Sequence, residues 1–253
     1  MTWTVLMGEL PGGYVNAVVR IGETVRRPVP EHAEFVHALL LYLEDRGWPG
    51  APRFLGIDET DRQILSYLPG HVAWLAPDRV DPPGVWSEQS LARVAELVRE
   101  LHDLTAASAL AGSREVVCHN DLASRNTVYR DSGDGSYLPV AFIDWDLAGP
   151  GSRIHDVAYL CWQFVIGDPD RPDPITAGKQ LRLICDAYGL SERTDLLPAI
   201  MACQDRNWRQ IEASANAGDE VSQRLRDLGA VRTGQATYQW TATHQHEIER
   251  VLG

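Results

Sequence analysis

The stretch VCHNDLASRN, residues 117–126, sets an aspartate behind an apolar pair and an asparagine five positions after that aspartate. Asp121 alone is compatible with a turn in which the carboxylate accepts hydrogen bonds from its own backbone. A second stretch, AFIDWD at 141–146, changes that interpretation. Two strand-like runs, TVYR and LPVAF, flank the turn-rich DSGDGS and predict a hairpin. This hairpin carries Asn126 into one strand and Asp144 out of the other, so both residues are expected at its open end.

Outside the hairpin, the first third of the chain is predicted to form a small sheet with one helix. The strand-like runs VNAVVRI, VRRPV, GAPRFLGID and RQILSYLPG are separated by turns that contain glycine or proline. Among them, EHAEFVHALLLYLEDRG has apolar residues at helical spacing and ends at Gly47. Pro69 and Gly70 close the segment ILSYLPG, which predicts a hinge at that point.

Helical periodicity dominates from about residue 87 to the end, apart from the hairpin. Ser87 is a suitable N-cap for the first of these helices. Its predicted apolar stripe consists of Leu91, Val94, Leu97, Val98 and Leu101. Further helices are predicted over HDVAYLCWQFV, over 176–188 with Gly189 as the stop, and in later segments. The sequence therefore predicts an α+β protein with a strand-rich lobe over 1–68 and a larger helical lobe over 69–253.

Composition limits the classes of function. The 253 residues carry a formal net charge of −12, which argues against nucleic acid as a partner because phosphate binding needs a basic surface. No apolar run is long enough to span a membrane, and MTWTVLMGEL lacks the basic start of a signal peptide, so a cytoplasmic protein is expected. The four cysteines stand singly without a CxxC pair, which predicts packed thiols.

Phosphoryl transfer requires the residue types that these two stretches contain. An aspartate must accept the proton of the attacking hydroxyl, oxygen ligands must hold Mg²⁺ at the phosphates, and a cation must contact the phosphates. One asparagine and one carboxylate are sufficient protein ligands for Mg²⁺, which keeps several waters. Asp121 is the candidate base, and Asn126 and Asp144 are the candidate metal ligands.

HNDLASRN together with FIDWDLAGPGSRIHDVAYL resembles the aminoglycoside-phosphotransferase-like family of small-molecule kinases, over about residues 10–165. The resemblance implies a two-lobed protein-kinase-like fold, ATP or GTP as co-substrate, and a second aspartate, Asp156, that steadies the catalytic loop. The family usually has glycine where Asn120 stands. Residues 190–253 resemble its short trifolitoxin-immunity-like branch.

The same resemblance implies a nucleotide site in the first lobe. GGYVNAVVRI is similar to the loop that covers the nucleotide, which makes Gly12 and Gly13 candidate contacts. ILSYLPG is similar to the hinge that faces the purine. Its candidate residues are Ser66, Tyr67 and Leu68. The family's phosphate-binding lysine is matched by Arg27, and the candidates to orient that cation from the following helix are Glu34 and His37.

Spacing favours a small acceptor. Only 12 positions separate Asp144 from Asp156, and no Ala-Pro-Glu triplet follows, so the long activation segment of protein kinases is absent from this stretch. The expected reaction is transfer of the γ-phosphoryl group to a hydroxyl of a small molecule, such as an aminoglycoside or another antibiotic.

Two other classes of function remain open. His119, Asp121, Asp144 and His155 have the residue types of a metal-dependent phosphoesterase, although that hypothesis gives Asn126 no role. Alternatively, a chain without the usual lysine could be a kinase-like binding or immunity protein with little or no turnover.

Several neighbouring groups are predicted to be structural. A packed His119 and an ion-paired Arg125 are favoured over catalytic roles, and Asp146 is as compatible with a metal as with solvent. The acidic residues of the last third are expected on solvated helix faces rather than in a pocket for amines. They are Asp186, Glu192, Asp195, Asp205, Glu212, Asp219 and Glu220.

Overall fold

The computed structural model describes residues 7–9, 18–73, 80–167 and 173–253. The elements of its first part are β1 Met7–Glu9, β2 Val19–Ile21, β3 Thr24–Pro28, α1 Ala33–Asp45, β4 Phe54–Ile57 and β5 Arg62–Ser66. The strands form one antiparallel sheet in the order β1-β2-β3-β5-β4, with α1 as its helix. Gly47 follows α1 in the left-handed region (φ 68°), where glycine carries no steric penalty, so the helix stops where the sequence predicts.

The second part is mostly helical. Its strands are β6 His71–Val72, β7 Val116–Cys118, β8 Thr127–Asp131, β9 Tyr137–Phe142 and β10 Gly149–Gly151. Its helices are α2 Glu88–Thr105, α3 Arg153–Cys161, α4 Pro174–Tyr188, α5 Leu196–Asn216, α6 Glu220–Asp227 and α7 Ala230–Leu252. A short 3₁₀ turn, Ser124–Asn126, precedes β8, and one π-helical turn, Trp162–Ile166, extends α3. This architecture confirms the predicted α+β class, whereas the lobe boundary at residue 68 stays a prediction.

The predicted hairpin is formed by β8 and β9, with Thr127 opposite Phe142. In the connecting turn the carboxylate of Asp131 accepts hydrogen bonds from the backbone N–H groups of two glycines, which explains the turn-rich sequence. At the open end, the N–H of Ile143 donates to the carbonyl of Asn126 at 2.9 Å. Asn126 and Asp144 therefore lie beside each other, as the sequence indicates.

Two strand pairings were not predicted. β6 pairs with β8, and β7 pairs antiparallel with β10, so that Cys118 lies opposite Gly149. The Gly-Pro-Gly sequence of β10 is a poor strand former, and no local pattern indicates it. A side chain at Gly151 would meet the sulfur of Cys118 at 2.5 Å, which explains the glycine there. The pairing fixes the backbone on both sides of residues 119–148.

One hydrophobic core supports this region. The predicted stripe of α2 is buried throughout, and the hydroxyl of Ser87 caps that helix by accepting from the N–H of Ser90. The same core includes Leu122, Phe142 and Trp145, which flank the candidate site residues. Close packing of these three side chains limits the movement of the loop and hairpin end that carry the candidate site residues. Among the described residues, no helix is both long and apolar enough to cross a bilayer.

Candidate active site

Asp121 and Asn126 are in direct contact. The side-chain N–H₂ of Asn126 donates to the Asp121 carboxylate (Oδ2, 2.8 Å) and to its backbone carbonyl (2.9 Å). Asn126 is only 4% exposed, because the 3₁₀ turn places it under the loop. Since its nitrogen faces Asp121, its amide oxygen points to the other side of the planar group. Among the residues that the structure describes, none donates a hydrogen bond to that oxygen.

Asp144 lies at the mouth of the hairpin and is held by Arg27 from β3. A guanidinium N–H₂ of Arg27 donates to the Asp144 carboxylate at 2.9 Å, and the other N–H₂ donates to Asp146. The Arg27 side chain is 11% exposed, whereas that of Asp144 is 48% exposed. The predicted phosphate-binding cation thus reaches the predicted metal ligand directly.

Two residues of the site have backbone conformations that side chains rarely adopt. Asn120 and Asp144 are both left-handed, with φ of 65° and 63°. Asparagine and aspartate tolerate this region better than other residues with a side chain, and glycine tolerates it best. The family's usual glycine at the Asn120 position is therefore explained by backbone geometry. Here the Asn120 side chain adds a bond to the Leu147 carbonyl at 2.7 Å.

Asp156 supports the loop from below. Its fully buried carboxylate accepts from the N–H of His119 at 2.7 Å, the N–H of Asn120 at 3.0 Å and the ring of His102 at 3.2 Å. Burial alone raises the pKa of Asp156, but the hydrogen bonds from His102 and His119 outweigh it and hold that pKa below its ordinary value. The charged carboxylate therefore fixes the backbone that leads into Asp121.

His119 is packed rather than available for chemistry. Its Nε2 bonds the Ile143 carbonyl at 3.2 Å, its Nδ1 accepts from the N–H of Asp121, and its ring lies 4.5 Å from that of Trp145. Burial lowers its pKa, against smaller opposing effects of the nearby carboxylates, so the ring is neutral. His155 instead contacts Cys203. This arrangement disfavours a phosphoesterase centre built from the two histidines.

A buried trio, His102, Cys118 and Asp156, does bring ligand-type atoms within 4.8 Å of one another. Its groups are already engaged, since the His102 ring bonds Tyr188 and Asp156 and the Cys118 sulfur bonds the Ser152 carbonyl. Burial also raises the pKa of Cys118 and keeps its thiol protonated, which a metal ligand cannot be. We assign these residues to the support of the loop.

Neither Glu34 nor His37, the candidates from the sequence, orients the guanidinium of Arg27. His37 stacks on Phe54 at 3.7 Å and bonds Gln63, and Glu34 lies on the exposed face of α1. Arg27 is held across the cleft by Asp144 and Asp146, because β3 places its side chain opposite the mouth of the hairpin. Its Nε is buried without a hydrogen-bond partner among the described residues.

In the predicted hinge, two of the three candidate backbone N–H groups already donate to carbonyls beside the sheet. The N–H of Ser66 donates to Arg53 and the N–H of Tyr67 donates to Glu23, each at 2.9 Å. The Leu68 amide is the one of the three that donates to no described residue. Gly12 and Gly13 lie outside the described residues.

Two further groups complete the site. The hydroxyl of Tyr159 on α3 donates to the Asp121 carboxylate at 3.0 Å, a contact that was not predicted from the sequence. Tyr159 lies three residues after Asp156, and this spacing, which places both side chains on one face of a helix, could have indicated it. Arg125 is ion-paired as predicted, with Asp121 itself as the partner at 2.7 Å.

Several acidic residues of the last third make local contacts on their own helices or with neighbouring arginines. Asp186 pairs with Arg193, Asp205 pairs with Arg209, and Asp219 caps α6. These local bonds and the exposure of the side chains support solvated helix faces over an amine-binding pocket.

The neutral, buried His119 leads to a prediction about pH. Its folded-state pKa lies below the unfolded value near 6.5, so the unfolded chain takes up a proton that the folded chain excludes. Stability from this group is complete above about pH 6.5 and is lost as the pH falls. We expect the free energy of unfolding to drop by up to about 1.4 kcal/mol per pH unit below that point. Urea unfolding between pH 5 and 8 measures it.

The control for this experiment is His119→Gln, which retains a donor for Ile143 but does not titrate. In this variant the slope of the unfolding free energy against pH should correspond to about one proton fewer taken up on unfolding than in the wild type. An identical slope in both proteins would show that His119 is not the group responsible. Asp156 adds a separate loss at lower pH, beneath its ordinary value of 3.8, because its folded pKa is also depressed.

Comparisons with known proteins agree with this geometry. Residues 72–197 match the phosphotransferase enzyme family. The trifolitoxin immunity protein of Rhizobium leguminosarum bv. trifolii is 31% identical over 207 residues, which cover 73% of this chain and 74% of that protein.

Solved structures share the fold over most of the chain. An ethanolamine kinase of Plasmodium vivax superposes with a TM-score of 0.64 at 11% identity, covering 94% of this chain and 82% of its own. The GDP complex of an aminoglycoside 2′-phosphotransferase superposes with a TM-score of 0.62 at 10% identity, covering 96% and 94%. These likenesses confirm the two-lobed protein-kinase-like fold. From the sequence relationship and the family match together, this chain belongs to the phosphotransferase enzyme family.

Proposed function

We propose that this protein transfers the γ-phosphoryl group of ATP or GTP to a hydroxyl group of a small molecule. One observation carries the proposal: Asp121, Asn126, Asp144 and Arg27 form one connected group at the mouth of the hairpin. These are the base, oxygen ligands and cation that phosphoryl transfer requires. The family and the GDP-bound structural neighbour support a nucleotide as the donor.

In this reaction the acceptor oxygen attacks the γ-phosphorus while the bond to the β–γ bridging oxygen breaks. The acceptor's proton passes to the carboxylate of Asp121, and the leaving nucleoside diphosphate keeps the bridging oxygen. Asp121 is suited to this role because the loop is held rigidly by Asp156 and the carboxylate remains 17% exposed. A base must lie within hydrogen-bond reach of the proton that it accepts.

The residues also fit a magnesium ion. The free side of the Asn126 amide and the half-exposed Asp144 carboxylate are oxygen donors of the kind that Mg²⁺ prefers, with remaining positions for water and phosphate. Held by Asn126 and Asp144, Mg²⁺ would supply positive charge that offsets the charge developing on the phosphates. Asp146 is a candidate additional ligand because it lies beside Asp144 on the same guanidinium.

Arg27 takes the place of the family's lysine in this proposal. Its guanidinium pairs with the carboxylates of Asp144 and Asp146. Its planar guanidinium would contact phosphate oxygens, while a metal ion would be held by Asp144. The Leu68 amide would then contact the purine, and Gly12 and Gly13 would cover the phosphates.

The acceptor is proposed to be a hydroxyl compound such as an aminoglycoside or another antibiotic. The structural neighbours include an aminoglycoside 2′-phosphotransferase and an ethanolamine kinase, and these names support a small hydroxyl compound as the acceptor. Because the acidic helix residues lie on solvated faces, an acceptor screen should also include neutral hydroxyl compounds.

The second candidate function is a kinase-like binding or immunity protein without turnover. Two observations favour it: the 31% identical relative is named an immunity protein, and Arg27 pairs with the aspartate that should hold the metal. Such a protein need not bind Mg²⁺ and nucleotide together.

The experiment that separates the two functions follows the melting temperature with ATP and with GTP, each with and without Mg²⁺. A ligand that binds only the folded state stabilises it by about 2.7 kcal/mol at a hundredfold excess over its Kd. We expect a clear rise that depends on Mg²⁺, and we expect Asp144→Asn to remove the Mg²⁺-dependent part. Asp134→Asn, in the exposed hairpin turn, is the matched control and should respond like the wild type.

A rise with Mg²⁺ in the wild type supports the phosphotransferase and justifies measuring nucleoside diphosphate release against the acceptor screen. If neither nucleotide raises the melting temperature, Arg27 does not replace the lysine, and the binding or immunity function becomes the better proposal. An equal rise in Asp144→Asn would contradict the metal assignment alone.

A further inference from the structure

The carboxylate of Asp121 is held by three donors that are distributed unequally over its two oxygens. Arg125 at 2.7 Å and the Tyr159 hydroxyl at 3.0 Å both donate to Oδ1. Asn126 alone donates to Oδ2, at 2.8 Å. A carboxylate offers about two acceptor positions on each oxygen. Oδ1 is therefore saturated, and the remaining position is on Oδ2.

Tyr159 contacts this carboxylate from a helix that also supports the loop. It lies on α3 three residues after Asp156, so both side chains project from one face of the helix. Asp156 holds the backbone of the loop at His119 and Asn120, and Tyr159 holds the side chain of Asp121. One helix face thus fixes both the main chain and the functional group.

The tyrosine is also well restrained itself. It is 8% exposed, and its ring packs edge-on against Trp162 at 5.3 Å, where α3 changes into the π-helical turn. Burial and the charge of Asp121 raise the pKa of Tyr159, so its hydroxyl keeps its proton and donates. Arg125 has a longer, flexible side chain that is 40% exposed, and exposed ion pairs restrain geometry weakly.

We propose that Tyr159 is a positioning residue that orients the base: its hydroxyl holds Oδ1 of Asp121 so that Oδ2 faces the acceptor and receives its proton. This inference rests on the proposed function. The proton moves from the acceptor hydroxyl to Oδ2, while the phenol proton of Tyr159 stays on its own oxygen throughout. Tyr159 touches neither nucleotide nor acceptor and acts only through Asp121.

The test is Tyr159→Phe, which removes the hydroxyl and retains the ring. With Mg²⁺ and ATP, and with water or a hit from the acceptor screen as acceptor, we expect kcat to fall by about tenfold because one hydrogen bond to a charged group is lost. The KM for ATP should stay unchanged. Tyr42→Phe is the matched control, since that hydroxyl donates to the Leu104 carbonyl away from the site; its kcat should equal that of the wild type.

A double-mutant cycle with Asp121→Asn distinguishes positioning from a merely structural role. If Tyr159 acts through Asp121, Tyr159→Phe should cause no further loss of kcat in the Asp121→Asn background. A second cycle with Asp121→Ala, which removes the acceptor of the Tyr159 hydroxyl, should show coupled unfolding free energies in urea and reports the contact even where turnover is too slow to measure.

Wild-type kcat in Tyr159→Phe, an equal loss in both backgrounds, or uncoupled stabilities would each overturn the positioning role. Failure of the proposed function has a different signature, because the wild-type protein itself would then show no Mg²⁺-dependent stabilisation by ATP or GTP. The variants therefore test the role of Tyr159, and the wild-type protein tests the proposed function.

Discussion

Replacing Asp121 with alanine is expected to lower kcat by about 10²–10⁴-fold, the usual contribution of a positioned general base. The affinity for Mg²⁺ and nucleotide should change little, because the proposed metal ligands and Arg27 remain in place. The interaction that is lost exists chiefly in the transition state, so kcat and kcat/KM should fall together. Steady-state release of nucleoside diphosphate measures the rate, and the thermal shift with nucleotide measures the binding.

Two further variants make this result interpretable. Asp121→Asn keeps the shape of the side chain and a partner for Tyr159, and should be almost as slow as the alanine variant. Asp134→Ala removes an aspartate from the exposed turn of the hairpin and should keep the wild-type rate. Wild-type turnover in Asp121→Ala would show that another group accepts the proton.

The largest loss of stability is expected for Asp156→Ala. The change leaves the backbone N–H groups of His119 and Asn120 and the ring of His102 without their acceptor in the interior. Removing one partner of a buried, hydrogen-bonded ion pair lowers the free energy of unfolding by about 3–5 kcal/mol. We therefore expect the free energy of unfolding in urea to fall by about that amount, which is a large share of a typical total.

Asp156→Asn should recover part of this loss, because its amide oxygen can still accept one of the N–H groups. Asp103→Ala, which removes a half-exposed partner of Arg99 and Arg153, provides the comparison and should lower the stability by about 1 kcal/mol or less. A loss of that small size in Asp156→Ala would mean that the loop is held by other contacts.

Much of the fold could be predicted because its signals are local. Ser87 and the stripe of α2, Gly47 after α1, Gly189 after α4, and the turn between β8 and β9 depend on side chains within a few positions of one another. The β7–β10 pairing had no such signal, because glycine and proline in β10 carry no strand preference.

The candidate site divides in the same way. Asp121, Asn126 and Asp144 could be placed together because a predicted hairpin joins the last two and a short loop joins the first two. The partner of Arg27 could not be placed, since it depends on how β3 faces the hairpin across the cleft. Glu34 and His37 were plausible by order along the chain, but α1 directs one to solvent and the other to Gln63.

The sequence by itself therefore determined the α+β architecture, because spacing along a helix, a hairpin or a loop specifies which residues are neighbours. It indicated the family through the resemblance carried by HNDLASRN and FIDWDLAGPGSRIHDVAYL, and it predicted the groups of the proposed site. Only the tertiary structure decided how those groups are held. The pairing of Arg27 with Asp144 and Asp146, the support of the loop by Asp156 and the contact of Tyr159 with Asp121 join residues 35 or more positions apart. Such contacts depend on the packing of whole elements against one another, and no local pattern encodes them.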